Sequence, residues 1–155
     1  MPMRFQTPIR SKQLLLAAAA LSFAIALFQA VLSFSPSLSS FFGAAELATN
    51  PLLLLVTSLA ATMVFALFGL YALAGASTIR RLPLLRTGLL VIGVIYTLRG
   101  LFLLPELLLM TDVLPAPEPV PPQAVLSSLV ALATGLLYVL GTLTSWKRLQ
   151  PHVRL

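Results

Sequence analysis

The chain has 155 residues, of which 59% are hydrophobic and only 9% charged, with a formal net charge of +6. A soluble domain carries about 25% charged residues, so a mean hydropathy of +1.00 excludes a water-soluble globule of this size, and lipid must form part of the solvent. The basic residues lie in small groups beside apolar segments, without the folded basic domain or aromatic platform that nucleic acid requires. They suit anionic lipid headgroups instead.

Cysteine is absent. That excludes disulfides, thiolate metal sites, thiol redox chemistry and cysteine lipidation. His152, the single histidine, lies in a polar tail with no converging partner for metal binding or acid–base work.

Residues 1–12 read as an N-terminal tail, and four apolar runs follow, near 13–34, 51–75, 85–104 and 124–145, with a second tail at 146–155. Each run has the roughly 20 residues a helix needs to cross a hydrocarbon core. In lipid each must be helical, because an isolated segment can satisfy its backbone only internally. The first run follows Arg4, Arg10 and Lys12, as a signal peptide would. Its apolar stretch exceeds the usual h-region of about 7–15 residues and no clean small-residue cleavage site follows, so it reads as a span.

The loop at 35–50 places Leu38, Phe41, Phe42 and Ala45 at i, i+3, i+4 and i+7, a spacing that suggests a short amphipathic helix lying in the interface, the alternative being a loop whose phenylalanines dip into it. Asn50 before Pro51 reads as an N-cap followed by proline at the first helical position. In the third run, Pro105 disfavours helical geometry at Leu104, so that span should end or kink there. If it kinks, helix continues through 106–110. The loop ahead of the fourth run carries Pro115, Pro117, Pro119, Pro121 and Pro122 and reads as an extended polyproline spacer.

Charge asymmetry orients the bundle. Arg4, Arg10 and Lys12 precede the first run; Arg80, Arg81 and Arg86 separate the second and third; Lys147, Arg148 and Arg154 follow the fourth. All four acids, Glu46, Glu106, Asp112 and Glu118, belong to the two opposite loops. The positive-inside rule therefore predicts both termini in the cytoplasm.

Arg99 alone breaks the pattern, as a charge within an apolar run. It follows Arg86 by 13 residues, or about 20 Å of helix, which puts it in the outer part of the bilayer. Three fates compete for it: snorkelling to the interface, pairing with Glu46 or Glu106, or lining a cavity that binds an anionic substrate or headgroup. A clamp to an outer acid is the leading expectation. Tyr96, three residues earlier, shares its helical side and could help satisfy the guanidinium, and Gln29 is another polar group in the outer half. The candidate polar site is thus Arg99, Tyr96, Glu46, Glu106 and Gln29. Small residues recur at spacing four, as in Ala72 and Ala76 or Ala131 and Gly135, and suit close helix approach within the chain or against a partner.

No phosphate-binding glycine loop, glycine-flanked serine, carboxylate cluster or paired histidines can be found in the chain. No acid lies mid-span, which argues against a proton-coupled carboxylate carrier. We expect no catalytic residue, no metal and no cofactor.

The segments Tyr71-Ala72-Leu73-Ala74-Gly75-Ala76, Ile79-Arg80-Arg81-Leu82-Pro83-Leu84-Leu85-Arg86 and Ile95-Tyr96-Thr97-Leu98-Arg99-Gly100-Leu101 resemble a family of small, uncharacterised bacterial four-span proteins. In size and span count the architecture is similar to DoxX-like membrane proteins. The resemblance implies a bacterial inner-membrane location and carries over no chemistry and no functional residue.

The expectation is an all-α membrane protein: a four-helix antiparallel transmembrane bundle with a short outer interfacial helix. The leading function is a non-enzymatic accessory, scaffolding or assembly component, with a membrane-protein partner or a second copy of the chain against its small-residue faces. The alternative is a small transporter or lipid- or anion-binding protein using the polar site around Arg99. A carrier should show a cavity reaching Arg99 from one side; a scaffold should show a packed interior and an outward stripe of small residues.

Overall fold

The computed structural model describes residues 9–42, 45–80, 82, 84–111, 120–146 and 149. The polyproline segment through residue 119, both tails beyond these bounds, Arg4, Arg81, Lys147, Arg148, Arg154, His152, Asp112 and Glu118 lie outside the described residues. Seven helices run in order: α1 (Ile9–Leu32), α2 (Pro36–Phe41), α3 (Ala45–Ala48), α4 (Pro51–Gly75), α5 (Leu85–Leu101), α6 (Leu103–Met110) and α7 (Pro122–Thr144). Four helical stretches are long and apolar enough to cross a membrane: Arg10–Leu32, Pro51–Gly75, Leu85–Met110 and Pro122–Thr144.

The protein is a four-helix bundle of that antiparallel kind. One end carries Arg10, Lys12, Arg80 and Arg86, and the other carries Glu46 and Glu106; we call these the basic and acidic ends. Side chains such as Leu27, Leu52, Met63, Leu98 and Leu104 are exposed on the outside of the spans, so lipid supplies their apolar surroundings. Threonines answer the same absence of water by donating to their own helix: Thr97 Oγ1 to the Gly93 carbonyl at 2.7 Å and Thr134 Oγ1 to that of Val130 at 2.7 Å. Asn50 Oδ1 accepts from the Leu53 N–H at 3.2 Å, with Pro51 at the first position of α4.

The third span is broken at one residue. Proline has no N–H for the carbonyl four residues back, and its ring crowds that carbonyl. For Pro105 the affected carbonyl belongs to Leu101, where α5 ends. Helix resumes at Leu103, with Pro105 in the first turn where an amide is not needed, and the Glu106 N–H bonds the Phe102 carbonyl at 3.1 Å. The segment at 35–50 forms two short helices rather than one. The first, α2, ends at Phe41, ahead of Gly43, a residue of low helix propensity, so the predicted single helix is interrupted.

Packing is uneven around the bundle. The most extensive contacts join α1 to α4 and α5 to α7; α1 also lies along α7, while α4 and α5 touch much less. The α5–α7 seam is set by glycines. A Cβ on Gly100 would strike the Leu132 backbone, one on Gly135 would strike the Thr97 backbone, and one on Gly93 would meet Val139 and Tyr138. Ala131 and Gly135 are thus taken up inside the chain, as are buried Ala72 and Ala76. The buried core collects near the basic end, from Leu15, Ala18 and Ala19 of α1, Ala72, Ala74 and Ala76 around the end of α4, and Leu85 and Leu89 of α5. At that end Arg86 also stacks its guanidinium on Trp146, 3.1 Å from the ring centroid.

Candidate functional site

The acidic half of the bundle is not filled. A cavity of about 700 Å³ lies there between α1, α5 and α7, with Phe65 of α4 on one wall and Phe42 at its outer edge. Along α7 it extends from Gln123 to Ala131 and along α1 from Leu21 to Leu32. At 1.5 Å per residue this is a depth of about 12–16 Å, close to half of a hydrocarbon core about 30 Å thick. The cavity is as deep as one leaflet.

Its lining is graded. Leu21, Ile25, Phe65, Val130 and Ala131 make the inner part apolar, whereas Gln29, Arg99, Gln123 and Ser127 gather on the outer turns of three different helices. This is the usual make-up of a small-molecule site, an apolar body with a few convergent polar groups and a volume of about 300–1,000 Å³. A second groove of about 290 Å³ at the loose α4–α5 seam, lined by Leu67, Phe68, Tyr71 and Val91 among others, contains no ionisable group but Tyr71.

Arg99 is held by a pair of serines. Its Nη1 donates to Ser128 Oγ at 2.7 Å and its Nη2 to Ser127 Oγ at 2.9 Å. Ser128 is fully buried, and Ser127 passes its own proton to the Ala124 carbonyl at 2.8 Å. Glu106 Oε1 stands 3.8 Å from Nη1, with side-chain exposures of 47% for Arg99 and 16% for Glu106. That separation is an ion pair rather than a close hydrogen bond. Each charge also suits its helix: the cation is in the last turn of α5 and the acid in the first turn of α6.

Of Arg99's five N–H groups, two serve the serines and a third faces Glu106. The remaining two have no protein acceptor among the described residues. The other carboxylate oxygen, Glu106 Oε2, is buried without a hydrogen-bond partner. The Arg99 side chain is therefore fixed in place without being saturated.

The structure brings four of the five sequence candidates to this region and leaves the fifth apart. Arg99, Tyr96 and Gln29 line the cavity, and Glu106 adjoins Arg99 from outside that lining. Glu46 is exposed on α3, and the described residues contain no ion pair to it. Tyr96 does not serve the guanidinium. Its hydroxyl donates to Ser22 Oγ at 3.4 Å, and the Tyr138 hydroxyl donates to the Phe68 carbonyl at 2.7 Å. Since Tyr138 has one proton, Ser22 must donate across the 2.9 Å separation between them. A one-directional chain, Tyr96 to Ser22 to Tyr138 to Phe68, thus joins α5, α1, α7 and α4. Tyr96 stacks on Tyr138 at 5.8 Å and lies against Phe65 at 6.1 Å, so Tyr96 joins this network to the cavity wall.

Sequence reasoning missed Ser127, Ser128 and Gln123. Depth matching could have found the serines, since they sit near the outer end of the run 124–145 much as Arg99 sits near the outer end of the run 85–104. Gln123 donates through Nε2 to the Phe41 carbonyl at 2.8 Å, tying the end of α2 to the start of α7. Phe42 packs edge-on to Phe28 at 4.9 Å beside it.

No family model, curated protein or solved structure matches the chain.

Proposed function

We propose that this polytopic membrane protein holds an amphipathic molecule, with the apolar body in the cavity and the polar end at Arg99. The observation that carries the reading is the cavity itself, one leaflet deep, mostly apolar within apart from Tyr96, and with its other polar side chains gathered toward the level of Arg99. A carrier or lipid-binding protein requires such a space. A scaffolding or assembly component would favour a packed interior and small residues facing outward, whereas here Gly93, Gly100 and Gly135 are taken up by the α5–α7 seam. We place the protein in a bacterial inner membrane as a non-enzymatic component, with the basic end in the cytoplasm in accord with the positive-inside rule. The cavity then belongs to the outer leaflet.

The test is native mass spectrometry of the purified protein after incubation with a total lipid extract. Wild type should retain one lipid-sized molecule per chain. Val130→Phe and Ala24→Phe, which each enlarge a side chain of the cavity lining, should retain it about tenfold less at unchanged detergent melting temperature. Equal retention by wild type and both variants would remove the basis of the reading.

A further inference from the structure

The chemistry of the polar end can be narrowed. Arg99 is the one charged residue in the cavity lining, and the nearest acid, Glu106, stands outside it. An occupant therefore meets the guanidinium in the lining, and Glu106 only through its pairing with Arg99. Hydrogen-bond donors stand beside that charge. Arg99 offers its two remaining N–H groups, and the Gln29 carboxamide, also at the lining, has no hydrogen-bond partner among the described residues. Ser127, by contrast, is engaged as both donor and acceptor.

We propose that the occupant is a single-chain amphiphile ending in an oxyanion, a carboxylate or a phosphate, which binds Arg99 in competition with Glu106. This rests on the proposed function and adds the headgroup class. A planar fork of N–H groups matches such oxyanions in geometry as well as charge. Neutral and zwitterionic headgroups match it less well, the first for want of charge and the second because its cation is brought to Arg99.

The competition follows from position. Glu106 reaches Arg99 across the break at Phe102 with a separation of 3.8 Å, and its second oxygen has no partner. An oxyanion on the two free N–H groups makes short charge-assisted hydrogen bonds and, as a second negative charge on one guanidinium, weakens the long ion pair to Glu106. α6 buries no residue of its own and touches little of the bundle beyond α7, so weakening this pair loosens it. Occupancy of the cavity is in this way transmitted to the outer end of the third span.

The experiment is competitive loading of the full chain in a neutral maltoside detergent, read by native mass spectrometry. The probes are oleate, oleoyl lysophosphatidate, oleoyl lysophosphatidylcholine and monoolein at equal concentration. Wild type should prefer the anionic probes over monoolein by about ten- to a hundredfold, the scale of a hydrogen bond to a charged group. Oleate against lysophosphatidate identifies the oxyanion. Arg99→Gln should lose the preference while still loading monoolein, and Glu106→Gln should strengthen anionic loading. Monoolein binding as well as oleate in wild type, or an undiminished preference in Arg99→Gln, overturns the headgroup assignment and leaves the cavity reading standing. Absence of loading by all four probes overturns both.

Discussion

Replacing Gly100 by alanine tests the seam on which the geometry of Arg99 depends. An added Cβ would lie 2.5 Å from the Leu132 amide nitrogen and closer still to its Cα. These are backbone atoms of a continuous helix, so relief requires α5 and α7 to part. Overpacking costs typically about 1–3 kcal/mol, here at the upper end, and alanine returns up to about 1 kcal/mol in helix propensity. The net destabilisation is about 1–2 kcal/mol, or roughly 2–8 °C in melting temperature for a chain of this size. Gly88→Ala is the matched control, because its Cβ would meet the edge of the Tyr71 ring, the far end of a side chain that can turn aside. Thermal unfolding in detergent, followed by circular dichroism, should rank Gly100→Ala well below wild type and Gly88→Ala near it. A Gly100→Ala protein as stable as wild type, or a Gly88→Ala protein less stable than Gly100→Ala, would refute the reasoning.

Tyr138→Phe removes the donor to the Phe68 carbonyl at 2.7 Å and the acceptor for Ser22 at 2.9 Å; it should cost about 1 kcal/mol in detergent unfolding, and a cycle with Ser22→Ala should show coupling rather than additivity. Ser77 sits at φ 59° just past α4, with its N–H on the Ala74 carbonyl and that of Thr78 on the Leu73 carbonyl, the position where glycine ends a helix without strain. Ser77→Gly should therefore raise stability by on the order of 1 kcal/mol, and a lower melting temperature would count against that backbone assignment. Pro105→Ala supplies the amide that the Leu101 carbonyl lacks, so hydrogen exchange across residues 101–106 should slow; unchanged exchange would mean that something other than the proline sets the break.

Hydropathy and charge made the spans and their two-ended arrangement legible, because lipid forces each long apolar run into a helix and leaves few alternatives. The break in the third span was legible for a similarly local reason, proline's missing amide. What the chain alone did not reveal is how the helices are turned against one another. The pairing of Arg99 with Ser127 and Ser128 depends on the register of α5 on α7, which the close approaches at Gly100 and Gly135 set. Tyr96 shares a helical side with Arg99 in sequence terms, yet its hydroxyl is directed to Ser22 on a third helix. The cavity has no sequence signature, since it depends on how side chains of separate helices meet in space. Glu106 rather than Glu46 adjoins Arg99 because the helix resumes after one residue and keeps the acid about two turns away along the same side.

Occupancy of the cavity is tested most directly by where a lipid touches the protein. A photoreactive oleate carrying a diazirine in its chain, irradiated with the protein and mapped by peptide mass spectrometry, is predicted to label Leu21, Ile25, Val130 and Ala131 inside the cavity. Labelling confined to the outward-facing Met63, Leu98 and Leu129, with none on the cavity residues, would contradict it.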